Sequence, residues 1–445
     1  MDTLKPEPIA AVMFAGALCL AAPAAAQQIA AAAPPPGQEP SAPDNPKSSA
    51  LRFQVSYYGD LFADLDGGLQ TGSTYQGRLG LILDADLQEL IGWQGATAHA
   101  SVHQIHGQGL TAGHVGALMT VSGLEAEPTT RLFNLWIEQT LGDRAALKIG
   151  QFTAGQEFFI SANAAAFVNA TFGWPAIVAQ DLPSGGPAYP LATPGVRLSY
   201  RPDGGTTLMM AIFNGDPAGP GGGDPQRRDR TGLNSFRLSG RPFLIGEAQW
   251  VAGPRDNPDA MFRLGAWAYL GDVADQRRDD RNGLLADPRG SGVPARRRGD
   301  HGVYGVLDAV LARNGDRVLS GFLRAAASPS DRNLIDAYAD VGLTYKGLLP
   351  DRPADLAGLA IGYSRISSGA RARDADSEAF AGAGLPIRDR ELVLEASYQA
   401  QVTASWSIQP DLQLILSPGG GGAAQGTLAP IPDAVIAGVR NVVKF

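Results

Sequence analysis

LFNLWIEQTL, residues 132–141, puts Phe133, Leu135 and Ile137 on one face and Asn134, Trp136 and Glu138 on the other. A period of two is the signature of a strand with one apolar and one polar side. The tight turn GDR (142–144) follows at once, as in a hairpin. The pattern recurs along the chain. In YQGRLGLILDADL (75–87), Leu79, Leu81 and Leu83 oppose Gln76, Arg78 and Gly80. In MFRLGAWAYL (261–270), Phe262, Leu264 and Leu270 oppose Arg263, Trp267 and Tyr269. IDAYADVGLTY (335–345) and ELVLEASYQAQ (391–401) alternate in the same way, as does the terminal AVIAGVRNVVKF, which ends in an aromatic residue. Each segment is about ten residues long, the length that crosses a bilayer when tilted. About sixteen such segments are expected from residue 51 onward.

The connections sort by length. Tight turns at 142–144, 202–205, 253–259, 314–317 and 403–405 alternate with long polar loops near 106–130, 152–194, 215–240, 272–300, 366–389 and 417–432. A transmembrane β-barrel alternates in this way, with short periplasmic turns and long external loops. In hydrocarbon every backbone N–H and C=O needs a protein partner, and a closed sheet supplies one. The fold predicted is all-β: a transmembrane antiparallel β-barrel of about 16 strands, apolar outward and wet inside.

Composition agrees by exclusion. The 445 residues carry 44% hydrophobic and 18% charged side chains, 56 Gly, 32 Pro, one Cys and a net charge of −8. One cysteine excludes a disulfide scaffold. No apolar run beyond the N-terminus has the length of a membrane helix. The acidic balance argues against nucleic acid as a partner. Residues 9–26 (IAAVMFAGALCLAAPAAA) end in the A-x-A pattern of Ala24 and Ala26, so 1–26 reads as a signal peptide. Leu18 before Cys19 does not suit a lipoprotein site, so the cysteine leaves with the leader. Residues 27–50 are Pro- and Ala-rich and read as a linker, leaving 51–445 as the barrel.

YYGDLFADLDGG (57–68), LFNLWIEQTLGDRAALKIGQFTAGQEFFIS (132–161), FGWPA (172–176), YPLATPGVRLSYRP (189–202) and FLIGEAQW (243–250) together resemble the carbohydrate-selective porins of the OprB type. The resemblance covers residues from about 51 to 445. It implies a sixteen-stranded bacterial outer-membrane porin that passes glucose and other small sugars by diffusion, with no cofactor and no reaction. The Pro/Ala-rich lead and the Arg-rich loops near 227–230 and 277–298 depart from the family pattern and leave substrate preference open.

The connection at 152–194 contains QEFFISANAAAFVNATFGW, too apolar for a loop free in water. It is expected to fold inward after strand 5 and narrow the channel. Sugar recognition needs aromatic faces for the C–H side of a pyranose and charged or amide groups for its hydroxyls. The predicted lumen face offers Trp136 and Trp267 for stacking, with Tyr269 and Phe322. For hydrogen bonding it offers Asp60, Asp64, Arg78, Asn134, Glu138, Lys148, Arg197, Glu247, Arg263 and Arg324, with Asp340. Each is equally readable as a wetted wall residue balancing its neighbours. Mixed signs suit neutral sugars better than a single-sign ion filter.

His99 and His103 share a strand face about 13 Å apart at strand rise, too far for one metal. DLDGG (64–68) lacks the further ligands of a calcium loop, and no phosphate-cradling GxxxxGK occurs. Arg296–Arg298 could meet lipopolysaccharide, although a solvated loop explains them as well. The leading function is passive sugar diffusion; the alternative is an anion/phosphate-preferring or general diffusion porin. An outer-membrane enzyme is disfavoured because no GxSxG accompanies the five histidines. A plugged adhesive barrel is a further alternative. Partners expected are sugars, outer-membrane lipid and lipopolysaccharide, with homo-oligomerisation open.

Overall fold

The computed structural model describes residues 50–233, 237–238, 240–424 and 426–445. The expected signal peptide and almost all of the expected linker lie outside them. Sixteen strands close into one antiparallel barrel in simple up-and-down order. They are β1 (Leu51–Asp66), β2 (Gly72–Asp86), β3 (Ala96–Gly107), β4 (Thr129–Leu141), β5 (Ala145–Phe152), β6 (Thr193–Tyr200), β7 (Thr206–Asn214) and β8 (Pro242–Ala252). The second half has β9 (Ala260–Asp279), β10 (Pro294–Asn314), β11 (Arg317–Ala327), β12 (Ile335–Lys346), β13 (Leu356–Ile366), β14 (Arg390–Thr403), β15 (Trp406–Leu416) and β16 (Ala434–Lys444). β1 pairs with β16, Tyr57 opposite Val443, so no edge is left open.

Side-chain direction follows the alternation. Leu264, Leu270, Leu343, Leu359 and Leu412 are exposed on the outer face, whereas Tyr304, Arg324, Glu391 and Gln413 are buried inside. Tyr200, Trp250, Phe262, Trp406 and Phe445 lie at the short-turn end and are all exposed, an aromatic girdle at one membrane interface.

Two expectations change. The segment near 272–300 is not a long loop: β9 and β10 run on to Asp279 and back from Pro294 as a paired ribbon. Two of its arginines are paired there, Arg277 with Asp376 at 2.6 Å and Arg297 with Asp275 at 2.6 Å. The second change is one of parity in β4. The β3–β4 register slips between Ala100 and Val102, where β4 carries an extra residue. Phe133 therefore turns inward together with Arg131, and both are fully buried, while Asn134, Trp136 and Glu138 also face the interior. Strict alternation would have left Arg131 facing lipid, a costly place for an arginine.

The interior is filled by two loops. Loop L3 (153–192) carries Phe158, Phe159, Phe167, Val168, Phe172 and Ile177 into one apolar cluster with wall residues Tyr304, Phe322 and Tyr338. Phe159 stacks on Tyr304 with centroids 4.1 Å apart. Gly265 permits that stack, because a Cβ there would lie 2.2 Å from the Tyr304 ring. The inward folding expected for L3 is thus seen in its contacts. Loop L2 (108–128) also folds inward, burying Met119, Val121 and Leu124. Its LTAGHVGALMTVSGL (110–124) carries the same apolar signal as L3, within a stretch expected to be a polar external loop.

Candidate functional site

The loops divide the barrel interior into two walls. Along β8–β15 the inward polar side chains bond to loop backbone. Glu247 accepts from Phe159 N (2.9 Å), Asp308 from Asn163 N (3.2 Å) and Glu395 from Asn169 N (3.0 Å). Glu391 accepts from Leu118 N (2.8 Å) and Met119 N (2.6 Å) in L2. Arg324, wholly buried, pairs with Asp340 and donates to the carbonyls of Phe159 (3.2 Å), Gly173 (3.1 Å) and Thr171 (2.9 Å). Arg263 donates to Ile160 O and pairs with Asp308. Carboxylate-to-amide and guanidinium-to-carbonyl bonds are charge-assisted and strong. Four of the expected pore-facing residues, Glu247, Arg263, Trp267 and Arg324, therefore lie in this sealed half. Trp267 is buried against Gly302 and Tyr304, with ring centroids 6.1 Å apart in the latter pair.

Along β16 and β1–β6 the inward polar side chains meet one another and side chains of L2, L3 and L4. On the loop side, Arg440 pairs with Asp60 (2.9 and 2.7 Å) and donates to Ser122 of L2 (2.9 Å). Arg131 pairs with Asp229 at 3.0 Å. Arg78 differs from both. Its guanidinium carbon lies 4.7 Å from the Tyr58 ring centroid and 5.5 Å from that of Tyr189 in L3. Its Nε and Nη1 are buried with no hydrogen-bond partner among the described residues. His103 stacks on Phe133 at 4.4 Å, and Tyr189 closes against both rings. Tyr189 Oη donates to Leu124 O, tying L3 to L2. Asp64 lies at the loop end of β1, buried beneath Gly68.

Toward the short turns lies a second group. Trp136 has the His99 imidazole stacked 4.9 Å away and the Lys148 ammonium 3.9 Å from its centroid. His99 comes from β3 and Lys148 from β5, the strands flanking Trp136, so the indole is covered from both sides. His99 bonds Asp84 at 2.7 Å, and Asp84 accepts from Arg52 at 2.8 Å. Lys148 and Arg197 each contact both Glu138 and Glu157, closing a four-membered ring of alternating charge. Asn134 reaches L3 through Gln156 at 3.1 Å.

At the loop end of the barrel, L2, L3 and L4 (215–241) enclose a cavity of about 270 Å³ lined in part by Glu125, Asn169, Trp174, Tyr189, Asp224 and Gln226. Burial pushes the Glu125 carboxyl up to about 7, although Thr111 N–H and O–H both donate to it.

The sequence thus supplied the wall residues Asp60, Arg78, Trp136, Glu138, Lys148 and Arg197. It missed Arg131, Glu157, Trp174 and Tyr189, and it placed His103 on a strand face without assigning it to the site. Arg131 was lost to the parity slip. The loop residues carry no periodicity, so nothing in their spacing marks them; only the YP and GWP stretches hinted at them.

Comparison with known proteins accords with this architecture. The family model "Carbohydrate-selective porin, OprB family" matches residues 70–445. Porin B of Pseudomonas aeruginosa is 26% identical over 432 residues, covering 88% of this chain and 87% of that protein. The high-pH structure of Pseudomonas putida OprB aligns with a TM-score of 0.77 at 22% identity, covering 89% of this chain and 94% of the other. The outer-membrane channel DcaP of Acinetobacter baumannii aligns with a TM-score of 0.51 at 13% identity, covering 89% of this chain and 97% of the other. The chain belongs to the carbohydrate-selective porin OprB family. It is an outer-membrane porin for sugar diffusion, and both family and fold point to a channel rather than an enzyme.

Proposed function

We propose that this member of the carbohydrate-selective porin family passes glucose-sized neutral sugars into the periplasm along the β1–β6 wall, with Arg78 as the principal hydrogen-bond donor. The observation that carries the reading is the Arg78 guanidinium, set between Tyr58 and Tyr189 with two unpartnered N–H groups. A guanidinium held by rings keeps N–H groups for a neutral acceptor, and a sugar hydroxyl is one. Arg131 and Arg440 beside it are neutralised by Asp229 and Asp60, which leaves Arg78 as the one of the three held by rings instead of a carboxylate. L2 and L3 narrow the passage against this wall. Diffusion needs contacts strong enough for entry and weak enough for release, and one cation between two rings suits that balance. Outer-membrane lipid and lipopolysaccharide cover the outside of the barrel in this reading, and homo-oligomerisation stays compatible with it.

The test is purified protein in planar bilayers. Stable channels whose ion current falls as glucose is added support the reading. Absence of conductance rejects it, and block by phosphate without block by glucose transfers the chain to the anion-preferring alternative.

A further inference from the structure

L3 leaves β5 at Phe152 and within five residues sends one carboxylate back to the wall it came from. Glu157 Oε1 lies 2.6 Å from Lys148 Nζ and Glu157 Oε2 lies 3.1 Å from Arg197 Nε. Glu138 completes the ring, 3.4 Å from Lys148 and 2.7 Å from Arg197. Three of the four charges belong to the barrel: Glu138 on β4, Lys148 on β5 and Arg197 on β6. Those three sum to one positive charge, and only the loop residue brings the ring to zero. Glu138 retains 28% side-chain exposure, so the ring borders solvent inside the barrel.

We infer that Glu157 is a specificity-determining residue: it neutralises a wall that would otherwise attract anions and so keeps this stretch of the passage indifferent to charge. The inference rests on the sugar-porin reading above and adds a residue to it. A unit charge a few ångströms from a passing ion changes that ion's local concentration about fourfold, even in water. Pairing all four charges removes that bias, while the outer lone pairs and N–H groups still offer hydrogen bonds to hydroxyls. A loop that only narrowed the pore would not need its charge matched to a surplus on the wall.

The experiment measures the reversal potential of single channels across a KCl gradient, for the full chain and four variants. E157Q leaves the ring with one net positive charge, and the chloride-to-potassium permeability ratio should rise by about sixteenfold, about fourfold from each ion. E138Q makes the same charge change on the wall without touching the loop and should shift the ratio the same way. K148Q should shift it oppositely, and E157Q with K148Q together should return it close to the parent. Shifts of one sign for E157Q and K148Q, or no shift in E157Q and E138Q alike, would overturn the inference. Glucose block of the unmodified channel, recorded in the same bilayers, reports on the sugar-porin reading independently of these ratios.

Discussion

The two walls of the barrel interior draw on the same side chains and use them differently. Along β8–β15, Glu247, Arg263, Arg324, Glu391 and Glu395 face inward and meet the backbone of L2 or L3. Along β1–β6, Arg78, Glu138, Lys148 and Arg197 face inward and meet rings, one another and the L3 side chains Glu157 and Tyr189. Facing the lumen is therefore not the same as lining the path. One wall anchors loop backbone, the other meets loop side chains, and the function proposed above takes the path along the second.

The sharpest way to break this contrast is Arg324→Met. It leaves Asp340 buried without its cation, a cost of about 3–5 kcal/mol. L3 should come away from β11, single-channel conductance should rise and glucose block should vanish. Conductance and block like those of the parent would show that the sealed wall does not depend on this pair. On the opposite wall, Arg78→Ala removes a charged hydrogen-bond donor worth about 1.5–3 kcal/mol, so the glucose concentration for half-block should rise about ten- to hundredfold. Conductance there should change little, because Arg78 holds no loop carbonyl.

At the external cavity the test is pH. The folded Glu125 carboxyl, with its value raised to about 7, binds its proton more tightly than the unfolded chain does. That proton stabilises L2 fully below the ordinary glutamate range, and the stabilisation is lost as pH rises to about 7. Protection of L2 from limited proteolysis should decline over that window, and Glu125→Gln should remove the dependence. A window that persists in Glu125→Gln would assign it to another group.

The smallest effect is expected at Trp136→Ala. With His99 and Lys148 covering the indole, a sugar finds no bare ring, and half-block should move by less than about twofold. A large loss of block would show that sugar displaces Lys148 from the ring.

Much of the fold was legible because strand alternation is local. The inward placement of Arg78, Trp136, Glu138 and Arg324 follows from parity alone, and so do the outward leucines. The site was less legible. Phe133 was misplaced, and Arg131 was not singled out, because a single extra residue in β4 inverts parity without any mark in composition. Glu157 and Tyr189 were missed because their partners are strands distant in sequence, or reached only after a loop folds back.

The sequence by itself determined a closed antiparallel barrel with a lipid-facing and a wet face, because the backbone must be satisfied within hydrocarbon and every second residue shares a side. Only the tertiary structure decided which inward charges the loops consume and which border the passage. That division depends on where L2 and L3 come to rest, and their resting place is set by contacts such as Arg324 with Gly173 O and Glu391 with Met119 N. Such contacts join residues more than a hundred positions apart, and no local period records them.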